Sequence, residues 1–202
     1  MVEAVSAGLV LASASPFRRK LLEAAGVPFR VVPAKVDEAA IKRRLDATVG
    51  PAALAETLAA AKAEAVSREC SHSLAVGSDQ TVALGGAVFD KPADLAQARV
   101  QLERLRGKTH RLFTAVALAH DGHVVWRNTD SASLTMRDFS DEFLDWYVAE
   151  CGASLCHVAG AYEIEGRGIQ LFERVEGDHF TIVGLPLMPL LAELRARGVL
   201  RA

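Results

Sequence analysis

The sequence predicts an α/β fold: a mixed sheet with long antiparallel ribbons and flanking helices, in two lobes around a cleft. Three observations lead there. In the first half, short apolar runs that suit buried strands pass directly into helix-start signals. In the middle, two long strand-like runs are joined by Asp121-Gly122, the strongest short hairpin turn in the sequence. The order of elements also departs from strict strand–helix–strand alternation. With 202 residues, half of them hydrophobic, the chain can bury a core in one domain spanning residues 1–202.

Residues 8–12 read GLVLA, a buried strand. Ser13-Ala14-Ser15-Pro16 follows; serine ahead of a proline at the first helical position starts a helix, which Gly26 stops. Residues 29–32 form a second strand. A polar connection begins at Val36-Asp37-Glu38 and ends near Pro51, and residues 52–68 form a long alanine-rich helix of high propensity. Residues 74–76 are a strand leading into Gly77-Ser78-Asp79-Gln80-Thr81, read as a turn; Gly85-Gly86 sends the chain back toward Phe89. Asp94 caps a helix that Gly107 ends. The hairpin covers residues 110–120 and 123–136, and Ser140 caps a helix through Glu150. A second hairpin is expected over residues 162–174. Gly184-Leu185-Pro186 then opens a last helix ending near Gly198.

Composition removes several function classes. The net charge of -2 lacks the basic excess of a nucleic-acid-binding domain. Cys70, Cys151 and Cys156 form no CxxC pair and no zinc spacing, and an odd, sparse count suits a reducing compartment. No apolar run approaches the ~20 residues that span a bilayer, and no leader pattern is evident at the N-terminus. The expectation is a cytoplasmic protein with neither nucleic acid nor membrane as partner.

Four places carry candidate chemistry. In Ser13-Ala14-Ser15-Pro16-Phe17-Arg18-Arg19 a strand meets a helix N-terminus, where free N–H groups and the helix dipole attract anions. Two hydroxyls and two guanidiniums add donors of phosphate-matching geometry. A capped helix with solvent-facing arginines is the competing account, and no Walker A loop occurs. Asp79, past a strand, and Glu38 are carboxylates able to bind a metal or move a proton, or simply to hold a turn. Lys62 shares a helix stripe with Leu54 and Leu58, so it either snorkels outward or meets an anion. In the second case its replacement by methionine should leave stability similar or higher. Lys91 in DKP and Glu165 in YEIEG are loop or strand residues with little meaning alone.

Together these segments resemble one family in one order. LASASPFRR, VDE, the segment around Lys62, GSDQT, DKP, GKTH, AGAYEIEGRG and VGLPL are similar to the successive motifs of the Maf nucleotide pyrophosphatases, from about residue 9 to 190. The resemblance implies a two-lobed Maf/ITPase-like fold and hydrolysis of a nucleoside triphosphate to its monophosphate and pyrophosphate. It implies a divalent cation, Mg²⁺ or alternatively Mn²⁺, and often a homodimer. It puts Asp79 on the proton-accepting position, and Ser13, Arg18, Lys62 and Lys91 on phosphate-handling positions, with Ser15 beside them. Glu38 falls on an acidic position, a metal ligand together with Asp79.

Three positions separate two branches of that family. Phe17, Gln80 and Glu165 resemble the 7-methyl-GTP branch rather than the dTTP/UTP branch, with Phe where that branch typically has Trp. Methylation at N7 makes guanine cationic, and an aromatic face attracts a cation. One carboxylate can accept the adjacent N1–H and N2–H₂ donors of guanine together. A dTTP/UTP or broad-specificity pyrophosphatase is the rival within the fold. A cell-division regulator acting on septum formation without required catalysis is the rival outside it.

Overall fold

The structure, a computed structural model, describes residues 8–45 and 48–201. Its strands are β1 (Leu9–Leu11), β2 (Arg30–Val31), β3 (Leu74–Leu84), β4 (Ala87–Phe89), β5 (Thr109–His120), β6 (His123–Met136) and β7 (Phe172–Glu176). The helices are α1 (Pro16–Ala24), α2 (Glu38–Arg44), α3 (Pro51–Glu69), α4 (Leu95–Leu105), α5 (Asp141–Cys151), α6 (His179–Val183) and α7 (Leu187–Ala196). Among the described residues the strands form one mixed sheet in the order β2-β1-β3-β5-β6-β7, with β4 on β3. β1 runs parallel to β2 and β3, Val10 lying opposite Arg30 and Ala75. The pairs β3–β4 and β6–β7 are antiparallel. The mixed α/β class is therefore the one the sequence predicts.

The chain divides into two compact units. The first runs to Gln80 and takes in Thr114–Asp130 and the chain from His179; the second is Thr81–Phe113 with Ser131–Asp178. In the first unit strand alternation sorts the core by face. Leu9, Leu11, Leu74 and Val76 pack with Leu22 of α1 and Leu190 and Leu194 of α7. Val10, Ala12 and Ala75 turn the other way, onto Val66 of α3. The alanine richness of α3 has a packing cause. Ala55, Ala59 and Ala63 meet Ala115, Ala117 and Ala119 of β5, so small side chains let helix and sheet approach closely. Asp121 and Gly122 both adopt positive φ, as a type I′ turn requires. In the second unit Leu102, Leu105, Leu134, Met136, Leu144 and Leu155 are buried.

Three expectations change. The polar connection after Val36 contains α2, capped by the Asp37 side chain on the Ala40 N–H, with Glu38 in its first turn and Lys42, Arg43 and Arg44 in its last. It buries no residue, so it leaves no apolar period to read. The segment Gly77-Ser78-Asp79-Gln80-Thr81 is no turn but the middle of β3. The second hairpin is absent. Residues 162–171 run through turns and a 3₁₀ segment, Arg167–Leu171, and only β7 is extended, pairing back onto β6.

Candidate active site

α1 starts one residue after Ser15, whose side chain caps the Arg18 N–H in a long 3.5 Å contact, with Pro16 at the first helical position. Ser13 Oγ accepts twice, from the Ser15 N–H at 3.2 Å and from Arg18 Nη1 at 3.2 Å. Both lone pairs are thereby engaged, so the Ser13 hydroxyl hydrogen is left to donate elsewhere. Arg18 Nε donates to the Gly184 carbonyl at 2.8 Å, and Ser78 Oγ donates to the same oxygen at 3.1 Å. The guanidinium is thus held at two points, and Nη2 has no protein acceptor among the described residues. Burial lowers the Arg18 pKa from its ordinary value, and the charges of Asp79 and Glu38 act in the opposite direction. A half-buried cation with spare donors, next to a donating hydroxyl and a helix N-terminus, is an anion cradle.

Lys62 of α3 neither snorkels nor stands free. Its Nζ lies 2.5 Å from Asp79 Oδ1 and 2.8 Å from Glu38 Oε1. The Lys62 and Asp79 side chains are each only 12% exposed. This geometry follows from β3 being extended. Residues 77 and 79 face α3, while 78 and 80 face the other side. A Cβ on Gly77 would come within 2.6 Å of the Ala63 backbone nitrogen. The missing side chain therefore lets β3 lie against α3 and brings Asp79 to Lys62. Glu38 arrives from the first turn of α2.

Ser13, Ser15, Arg18, Lys62, Asp79 and Glu38, separate candidates in the sequence, all lie in the first unit. Phe17 is half-buried beside Arg18 at the start of α1. Gln80, also half-buried, points to the Ser78 side of β3; its amide nitrogen reaches Thr114 Oγ1 and the carbonyls of Thr181 and Ile182. Lys91 and Glu165 belong to the second unit and are exposed there, Lys91 after β4 and Glu165 in a turn. Ser78, Gly184, Thr114 and Thr181 escaped the sequence reading. Ser78 and Gly184 lay inside quoted motifs, but their role depends on a contact 106 residues apart. Among the described residues no group of three His, Cys, Asp or Glu side chains is placed to hold a metal.

A lysine held between two carboxylates, beside a serine–arginine cradle, defines an α/β protein equipped to handle an anionic ester or anhydride. Residues 8–197 match the Maf-like protein family, and the chain belongs to it. It is 50% identical over 193 residues to the 7-methyl-GTP pyrophosphatase of Rhizobium johnstonii, covering 95% of this chain and 97% of that one. The 7-methyl-GTP pyrophosphatase of Mesorhizobium japonicum is likewise 50% identical, with the same coverage. The nucleoside triphosphate pyrophosphatase of Paramagnetospirillum magneticum is 49% identical over 192 residues, 95% and 99% of the two chains.

Proposed function

We propose that the chain is a nucleoside triphosphate pyrophosphatase, that its substrate is 7-methyl-GTP, and that it works in the cytoplasm. The observation that carries the reaction is the Lys62–Asp79 pair beside the Ser13–Arg18 cradle. Asp79 Oδ1 is engaged by the ammonium, which leaves Oδ2 to take a proton from the attacking water. Arg18 Nη2 and the Ser13 hydroxyl bind phosphate oxygens, and Lys62 neutralises the charge that builds on them. Lys91 joins this role by its DKP motif. The rest of the assignment rests on chemistry of the same kind. Hard carboxylate oxygens from Asp79 and Glu38 fit Mg²⁺ or Mn²⁺, and two protein ligands suffice where substrate phosphates and water complete the shell. When bound, the cation supplies charge neutralisation and polarises the phosphate.

The base assignment rests on Phe17, Gln80 and Glu165. A cation–π contact is worth about 0.5–2 kcal/mol, and two acceptors on Glu165 match the paired donors of guanine. The relatives named for 7-methyl-GTP agree with this reading. Pyrophosphate release measured across 7-methyl-GTP, GTP, UTP, dTTP, CTP and ATP with Mg²⁺ is the test. The expected order puts 7-methyl-GTP first. UTP or dTTP turned over faster at equal concentration removes the base assignment, and no pyrophosphate from any of them removes the reaction.

A further inference from the structure

The hydrogens around Gln80 can be counted. Thr114 Oγ1 donates its single hydrogen to the Thr181 carbonyl at 2.9 Å, so it can only accept from Gln80, whose Nε2 stands at 2.8 Å. The same Nε2 lies 3.1 Å from the carbonyls of both Thr181 and Ile182, which accept and never donate. The amide cannot be flipped without setting its oxygen against two carbonyls. Its two N–H bonds are therefore spent on three protein acceptors, and only Oε1 remains to meet a ligand. The Thr181 side chain is itself tied down, donating to Asp130 Oδ2 at 3.0 Å. Gln80 also lies two residues along β3 from Ser78, whose partner Gly184 anchors Arg18, so the fixed amide sits beside the anion cradle on one face of the strand.

We infer that Gln80 reads the nucleoside solely as a hydrogen-bond acceptor, through Oε1, that the Thr181 and Ile182 carbonyls fix this polarity, and that Thr114 is the positioning residue that holds the amide in place. The ligand must then present a donor at that place: an N–H of the base or an O–H of the ribose. A glutamine free to rotate accepts a donor or an acceptor equally and selects nothing. This one is locked, which turns a neutral amide into a discriminating contact. The inference rests on the pyrophosphatase reading, but not on which base is correct.

The test pairs protein variants with substrate analogues in double-mutant cycles, using the triphosphate that the unmutated protein turns over fastest. For a guanine substrate the analogues carry a methyl at N1, lack the 2-amino group, or lack the 2′- or 3′-hydroxyl. Gln80→Met should raise KM about 2- to 10-fold with kcat largely kept. That penalty should disappear for the one analogue missing the donor that Gln80 contacts. An N1 or 2-amino analogue doing this identifies the base; a deoxy analogue identifies the ribose. Thr114→Val should raise KM and blunt discrimination against the same analogue, and Thr114→Ser should restore both. Equal penalties on all four analogues, or Thr114→Val with unchanged KM and discrimination, overturn the inference. Should Gln80→Met not fold, Thr114→Val carries the cycle. A wrong 7-methyl-GTP assignment shows in the nucleotide panel alone, and absence of pyrophosphate release from every nucleotide defeats the pyrophosphatase reading instead.

Discussion

Lys62 shows how a residue's environment decides its role. With carboxylates 2.5 and 2.8 Å away on two sides, its loss has two consequences. Lys62→Met should reduce turnover, because the counter-charge for phosphate is gone. It should also lower stability by about 3 kcal/mol, since Asp79 is left largely buried without its partner. The stability sign is opposite to the one read from the helix stripe, which showed the lysine but not the two anions around it. Denaturant unfolding together with steady-state kinetics on the purified variant measures both; unchanged stability would mean that the ion pair contributes nothing net. Asp79→Asn keeps the shape and removes the proton acceptor. Loss of a general base costs about 10²–10⁴-fold in rate, and kcat within threefold of the unmutated protein would remove Asp79 from the chemistry. The residue types of this cluster were legible in the sequence. Their pairing was not, because Lys62 and Asp79 are 17 residues apart and meet through packing.

At the scale of elements, legibility followed the strength of local signals. α1, α3, α4, α5 and the β5–β6 turn carry caps, prolines, glycines or long periodic runs, and each lies where the sequence puts it within a residue or two. α2 lacks a buried face and was hidden in a polar stretch. β3 was cut short because Gly77, Ser78 and Asp79 are turn-like residue types. Tertiary packing overrides that preference here, since β1 and β4 pair along β3 and α3 covers Gly77. The close approach makes a sharp prediction. Gly77→Ala forces a methyl within 2.6 Å of the Ala63 nitrogen and 3.0 Å of the Ala63 Cβ. Backbone atoms cannot rotate away, so α3 must shift. Overpacking of this kind costs about 1–3 kcal/mol, and because α3 carries Lys62, catalytic efficiency should fall as well. A Gly77→Ala protein with the original melting temperature and activity would show that β3 and α3 do not pack this tightly.

For the molecule as a whole, the two units balance polar burial differently. The first buries Asp79 against Lys62 and buries Ser78, Thr114 and Thr181 on the other face of β3. The second buries His110 and Tyr162, which share a 2.7 Å hydrogen bond, with both rings against Phe172. The burial of His110 gives it a structural role with a pH signature. Only 1% of its surface is exposed, and burial lowers its pKa from 6.5 to about 4. Between those values the unfolded chain holds a proton on this ring and the folded chain does not. The contribution of this ring to stability is therefore complete above about pH 6.5 and drains away as pH falls toward 4. The shift corresponds to about 3 kcal/mol across that window. His110→Gln keeps a polar partner for the Tyr162 hydroxyl and cannot titrate. Urea unfolding of both proteins at pH 7 and pH 4 isolates the contribution of the ring, because every other titrating group is common to the pair. The unmutated protein should lose more stability than the variant between the two pH values, by about 2–3 kcal/mol. The two curves falling in parallel would show that His110 titrates as it does in the unfolded chain.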